Sequence, residues 1–193
     1  AVCAKSPLTN GMGETHVEGP FSANFKQSGF DAIVITGKSK QPVIVEIHNG
    51  EITFIDASTY WGNSIDKTVD QLEEVLGSNI STAVIGPAGE KLVRYASIVT
   101  NRSFQAARMG MGAVMGSKNL KALVIKAGVI PKIANPKLAK ELTDRYKSRI
   151  AENPLSDWQY QPPGFAAWVH THGLDAALCT KNFRESSFAG VEN

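Results

Sequence analysis

Two hydrophobic periods alternate along this 193-residue chain. Phe30-Asp-Ala-Ile-Val-Ile-Thr-Gly37 and Pro42-Val-Ile-Val-Glu-Ile-His48 are short apolar runs bounded by turn formers, the signature of buried strands. Asn49-Gly50 follows the second run. Both central residues of a type I′ turn need positive φ, so this pair predicts a hairpin with Glu51-Ile-Thr-Phe-Ile-Asp56 as the return strand. Ile52 and Phe54 share one face of that strand and Thr53 and Ile55 the other, so both faces are partly apolar. The period then lengthens. Ile65, Val69, Leu72 and Leu76 recur at helical spacing, with Ser64 as the cap and Gly77 as the stop. Further strands are predicted over Thr82 to Ile85, Leu92 to Val99 and Leu120 to Lys126. Residues Ala1 to Gly29 are rich in turn formers and read as a turn-rich entry segment.

After Pro131 the pattern becomes helical. Leu138, Leu142, Tyr146 and Ile150 form one stripe opposite charged residues, Pro154 ends that helix, and Phe165, Trp168 and Val169 predict another up to Gly173. The expected class is α+β: a β-rich domain over residues 1–130, incomplete at its start, and the beginning of a helical domain over 131–193. The chain begins at Ala1 without a methionine and stops at Asn193 without a closing element, so a piece of a longer protein is expected.

Composition narrows the function classes. Hydrophobic residues make up 42% and charged residues 20%, ordinary for a soluble globular protein. A net charge of +2 with scattered cations argues against nucleic acid as a partner. No apolar run approaches the ~20 residues that span a bilayer. Cys3 and Cys179 are far apart, which excludes a disulfide framework and a complete cysteine-ligated metal site within the chain and fits a reducing, cytoplasmic compartment. Cys3 reads as a small buried residue and Trp61 as core or a lid over the sheet edge. His48 reads as a solvated hairpin residue. His170 and His172, two apart on a helix, point to different faces and do not share a metal. There is no Ser–His–Asp signature and no nucleotide-binding loop; Gly116 falls one residue too late for the dinucleotide spacing after Gly110 and Gly112.

One stretch carries candidate chemistry. Arg108-Met-Gly-Met-Gly-Ala-Val-Met-Gly-Ser-Lys-Asn-Leu-Lys-Ala122 sets Gly110, Gly112 and Gly116 between Arg108 and the lysines Lys118 and Lys121. Glycines beside fixed positive charge suit a backbone shaped around an anion. A tight turn before a buried strand has the same spacing, and spacing alone leaves both readings open.

Ser6-Pro-Leu-Thr9, Gly29-Phe-Asp-Ala-Ile-Val-Ile-Thr-Gly-Lys38, Asp56-Ala-Ser58 with Trp61-Gly62, Gly86-Pro-Ala-Gly-Glu90 with Leu92-Val93, and Gly112-Ala-Val-Met-Gly-Ser-Lys-Asn-Leu-Lys-Ala122 occur in this order. Together they resemble the tungsten-containing aldehyde ferredoxin oxidoreductase family over the whole chain: most of its N-terminal cofactor-binding domain, then the start of its helical second domain. Lys181-Asn-Phe183 resembles a segment shortly before the family's first cluster-ligating cysteines.

The resemblance implies two sheets in pseudo-twofold arrangement around a tungsten or molybdenum held by two pterins (a bis-pterin tungstopterin or molybdopterin). It also implies Mg²⁺ between the pterin phosphates and a 4Fe-4S cluster whose ligands lie outside this chain. The implied reaction oxidises a small-molecule aldehyde to its acid, with ferredoxin or a related electron-transfer protein as acceptor. In that picture Arg108, Gly110 and Gly112 contact the pterin phosphates, with backbone contacts at Gln105 and Ala107 and further contacts at His16 and Glu18. His16 stands where the family has a magnesium-holding asparagine, and Glu18 where it has a glycine. Phe104-Gln-Ala-Ala-Arg108 stands where the family has arginine-alanine-alanine-glycine-arginine. These departures point to a divergent subfamily, and such members include reductases of aromatic acyl thioesters. A non-catalytic anion-binding module is the other alternative. Sequence leaves self-association into a homo-oligomer open.

Overall fold

The structure is a computed structural model that describes residues 1–126, 128, 130–150, 152–162, 164–174 and 177–186. The chain divides into two units, Ala1–Pro131 and Lys132–Asn193.

The first unit opens with an antiparallel pair, β1 (Val2–Lys5) and β2 (Met12–Thr15), followed by a short helix α1 (Phe21–Gln27). The hairpin β3 (Val43–His48) and β4 (Glu51–Asp56) comes next, then α2 (Ile65–Leu76), β5 (Ile80–Val84), the single turn α3 (Pro87–Glu90), β6 (Ile98–Thr100), β7 (Phe104–Ala106), α4 (Met111–Ser117) and β8 (Leu120–Lys126). Six of the strands form one sheet in the order β4-β3-β8-β5-β6-β7. Only β3 and β8 run parallel; the other neighbours are antiparallel. The protein is therefore α+β, with one two-stranded and one six-stranded sheet among the described residues.

Alternation along the central strands builds two cores. Val45, Ile47, Ala83, Ile85 and Ile125 face one side and pack with Met111 and Met115 of α4. Ile44, Val84, Ala122 and Val124 face the other and pack with Val69 and Leu72 of α2. Strands covered on both faces read as nearly continuous apolar runs, as β8 does. The Ser64 Oγ accepts from the Lys67 N–H at 3.3 Å and starts α2. Ser64→Ala is expected to cost about 1 kcal/mol of stability by loss of this cap, measured by urea denaturation. The predicted hairpin forms, with Asn49 at φ 50 and Gly50 at φ 79 and His48 paired with Glu51.

Three expectations differ. Phe30–Gly37 forms no strand. Phe30, Ile33 and Ile35 pack half-buried against the first core while Val34 is 86% exposed. The period of two there reports one-sided packing of an extended segment that pairs with no strand among the described residues. Of Leu92–Val99, only the end enters a strand. Leu92 takes φ 58, Tyr95 is 73% exposed, and backbone bonds such as Val93 N–H to Ala88 O (2.9 Å) wind this stretch into turns. The opening segment holds β1, β2 and α1. The pattern missed α1, which buries no residue fully and holds to the core through half-buried Phe21 and Phe25.

In the second unit, α5 (Pro136–Ile150) is capped by the Asn135 Oδ1, which accepts from the Leu138 N–H at 3.0 Å. Its stripe of Leu138, Leu142 and Tyr146 is exposed among the described residues. α6 (Pro154–Tyr160), a 3₁₀ turn (Gly164–Ala167) and α7 (Trp168–Leu174) follow. The His172 ring lies 4.7 Å from that of Trp168, centroid to centroid, and the side chain of His170 is outside the described residues. Among the described residues no helix is long and apolar enough to cross a membrane.

Candidate functional site

The chain leaves β7 at the edge of the large sheet and passes through Ala107 and Arg108 into a left-handed pair, Met109 at φ 64 and Gly110 at φ 73. Gly110 also meets a steric demand: a Cβ there would lie 2.0 Å from the Arg94 carbonyl oxygen. The Ser6 hydroxyl donates to the Met109 carbonyl at 2.9 Å, and the Arg108 N–H donates to the Thr15 Oγ1 at 3.3 Å. A Cβ on Gly13 would lie 2.9 Å from the Met109 Cβ, and one on Gly19 would lie 2.5 Å from the Phe104 ring. The stretch from Gly13 to Gly19 therefore runs alongside the stretch from Phe104 to Met111, although Thr15 and Arg108 are 93 positions apart.

This arrangement sets His16 and Glu18 on the segment beside Gln105, Ala107 and Arg108, and all five residues are exposed. The His16 Nε2 lies 2.9 Å from the Glu14 Oε1. Among the described residues the Arg108 guanidinium has no carboxylate partner, and Arg108 is held through its backbone bond to Thr15.

The other glycines of the cluster have an intramolecular reason. A Cβ on Gly112 would lie 2.4 Å from the Ser97 carbonyl oxygen, one on Gly116 2.0 Å from the Gly89 oxygen, and one on Gly89 2.9 Å from the Gly112 oxygen. These residues let α4 lie directly on α3 and on the loop at Ala96 and Ser97. The Gly112 N–H donates to the Ala96 oxygen at 2.9 Å, so Gly112 shapes the site by placing the turn.

Of the three cations flanking the glycines, two are committed to the protein. Lys121 is no anion-facing cation: its side chain is 0% exposed and pairs at 2.5 Å with the Glu90 Oε1, itself 4% exposed. The Lys121 Nζ also donates to the Asn63 carbonyl at 3.0 Å, and the Glu90 Oε2 accepts from the Gly62 N–H at 2.8 Å. Burial pushes the Lys121 ammonium below the usual lysine range, and Glu90 partly offsets that shift. The Lys118 Nζ donates to the Gly37 carbonyl at 3.1 Å and straps the extended segment after α1 to the sheet.

The sequence reading missed Glu90. Its available signal was a lysine inside the apolar run Leu120 to Ile125, which demands a buried counter-charge. Cys3, expected buried, is exposed, because Val2 and Ala4 take the inward positions of β1. At the end of β4 the Asp56 Oδ1 accepts from the Ser58 Oγ at 2.6 Å and from the Ser58 N–H at 2.8 Å, which holds the Asp56 carboxyl below the usual range. Among the described residues no cluster of three histidine, cysteine or acidic side chains is arranged to hold a metal ion.

The profile of the family described as "Aldehyde ferredoxin oxidoreductase, N-terminal domain" matches residues 1–127. The tungsten-containing aldehyde ferredoxin oxidoreductase of Pyrococcus abyssi is 35% identical over 188 residues, which cover 97% of this chain and 31% of that protein. The protein of the same name from Pyrococcus furiosus is 34% identical over 184 residues, 95% of this chain and 30% of that one. The chain thus spans under a third of the length of these relatives. Among solved structures, the active site complex BamBC of benzoyl coenzyme A reductase, in complex with 1,5-dienoyl-CoA, superposes with a TM-score of 0.72 at 35% identity. That match covers 83% of this chain and 25% of the other.

Proposed function

Because the chain belongs to the aldehyde ferredoxin oxidoreductase N-terminal domain family, we propose that its Arg108 turn holds a phosphate of a metallopterin in a tungsten- or molybdenum-dependent oxidoreductase. The observation that carries this reading is the exposed Arg108, whose guanidinium has no carboxylate partner among the described residues and whose backbone is fixed by a left-handed turn and by the Thr15 contact. Charge-assisted hydrogen bonds from arginine to phosphate are short, directional and about twice as strong as neutral ones. His16, on the neighbouring segment, would add an N–H donor, and backbone groups of Gln105 and Ala107 would complete the contacts. Glu18 offers a carboxylate oxygen, the donor type that a phosphate-bridging Mg²⁺ prefers, whereas imidazole suits softer metals.

When bound, the metallopterin supplies two-electron chemistry at its metal. This chain's share is to seat the phosphates. Cys3 and Cys179 alone cannot ligate a 4Fe-4S cluster, so in this reading its cysteines, and the groups that touch substrate, belong to sequence outside these 193 residues. The proposed reaction is oxidation of an aldehyde to its acid, with electrons leaving through the cluster to ferredoxin or a related carrier in the cytoplasm. The likeness to the benzoyl coenzyme A reductase complex favours a second reading, reduction of an aromatic acyl thioester at the same kind of site. Assays of the full-length protein with an aldehyde and with an aromatic acyl-CoA, each coupled to a viologen dye, separate the two.

Arg108→Ala in the full-length protein is expected to lower tungsten and pterin content at least fivefold while the cofactor-free proteins unfold at the same temperature, since the side chain is exposed and among the described residues makes no ion pair. Metal analysis and pterin fluorescence after oxidation read the result. Unchanged content would leave the turn a purely structural feature.

A further inference from the structure

The three separated motifs Trp61-Gly62, Gly86-Pro-Ala-Gly-Glu90 and Gly112 to Ala122 converge on one polar knot whose centre, the Lys121–Glu90 pair, is buried. The Glu90 carboxylate spans it, with Oε1 on the Lys121 Nζ and Oε2 on the Gly62 N–H, while the Lys121 Nζ reaches on to the Asn63 carbonyl. Glu90 is the last residue of α3. A Cβ on its neighbour Gly89 would meet the Gly112 carbonyl oxygen of α4, and one on Gly116 of α4 would meet the Gly89 carbonyl oxygen. α4 begins at the Gly110 turn that carries Arg108. A continuous path of tight contacts thus joins the ion pair to the candidate site: Lys121, Glu90, Gly89, α4, Gly110, Arg108.

We infer that Glu90 is a positioning residue: by bridging Lys121 and Gly62 it fixes α3, and through the α3–α4 stack it fixes the turn that presents Arg108. The inference deepens the phosphate reading of Arg108 and rests on it for its functional meaning. Burial of a charged pair is a poor source of net stability, because desolvation offsets most of the attraction. A full-span carboxylate with both oxygens hydrogen-bonded does, however, define one geometry. Reach separates positioning from bulk stability. Aspartate keeps the charge but is one methylene too short to touch both partners. The amides of β3, at the centre of the sheet, report bulk stability in the same measurement.

The test is hydrogen exchange by mass spectrometry on the full-length protein, prepared without tungstate or molybdate so that cofactor loss cannot itself change protection. Glu90→Asp is expected to speed exchange of the 111–116 amides at least tenfold, while the amides of β3 stay within threefold of wild type. Should Glu90→Asp fail to fold, Glu90→Leu/Lys121→Met, which buries no charge and has no span, takes its place with the same expectation. Wild-type protection of 111–116 in the variant without span, or an equal loss of protection in β3, overturns the inference. The same variants grown with tungstate separate it from the phosphate reading. Faster exchange with reduced pterin content supports both, and faster exchange with full pterin content supports the positioning role while removing the phosphate role of Arg108.

Discussion

Gly116→Ala is expected to cost roughly 2–4 kcal/mol of stability, even though alanine is the better helix former by about 1 kcal/mol. The added Cβ would lie 2.0 Å from the Gly89 carbonyl oxygen and 2.7 Å from its carbon. Both are backbone atoms, so no side chain can rotate away; α4 or α3 must move. Moving α4 also loosens the Gly112 N–H to Ala96 bond and the packing of Met111 and Met115 in the first core. Gly37→Ala is the useful contrast. It has nothing within 4 Å of its Cβ, so only the strain of its φ of +71 remains, about 1–2 kcal/mol. Urea denaturation of wild type and both variants measures the difference, and a Gly116 variant as stable as wild type would mean the stack has slack.

The readability of this fold follows from which forces leave a mark in sequence. The hairpin at Asn49-Gly50, the capped α2 and the strand at Leu120 are set by local rules: positive φ, a capping hydroxyl, and a two-faced core. Those rules operate within a few residues, so the pattern exposes them. Phe30–Gly37 shows where they stop. Its inward Ile33 and Ile35 obey the period of a strand, but the segment packs on the core by side chains alone and joins no ladder among the described residues. The winding at Leu92–Ser97 has the opposite cause: the apolar alternation is real, yet tertiary demand for close α3–α4 contact curls the backbone into turns.

The candidate site was legible as a list but not as a geometry. Arg108 and Gly110 could be singled out from charge and spacing. That Thr15 anchors Arg108, and that Gly19 leaves room for Phe104, depends on contacts across more than eighty residues of chain. The glycines themselves were ambiguous. Sequence cannot separate a glycine that admits a ligand from one that admits another backbone, and here Gly112 and Gly116 admit backbone. Lys121 misled for a related reason: a lysine beside a glycine cluster suggests an anion site, and only its place in a doubly covered strand reveals that its partner is Glu90.

The burial of that pair yields the second large effect. Lys121→Met is expected to destabilise the protein by about 3–5 kcal/mol, because it strands the Glu90 carboxylate, 4% exposed, without its cation. The Gly62 N–H still donates to it, but one neutral donor does not replace an ammonium at 2.5 Å. Glu90→Leu added to Lys121→Met is expected to recover most of the loss, since no charge then remains to be desolvated and methionine fills the channel of the lysine stem. The cycle of wild type, Lys121→Met, Glu90→Leu and the double variant, followed by denaturant unfolding, isolates the coupling between the two residues. A Lys121→Met protein within about 1 kcal/mol of wild type, which is the range of exposed pairs, would show that water reaches this pair and that the knot holds nothing in place.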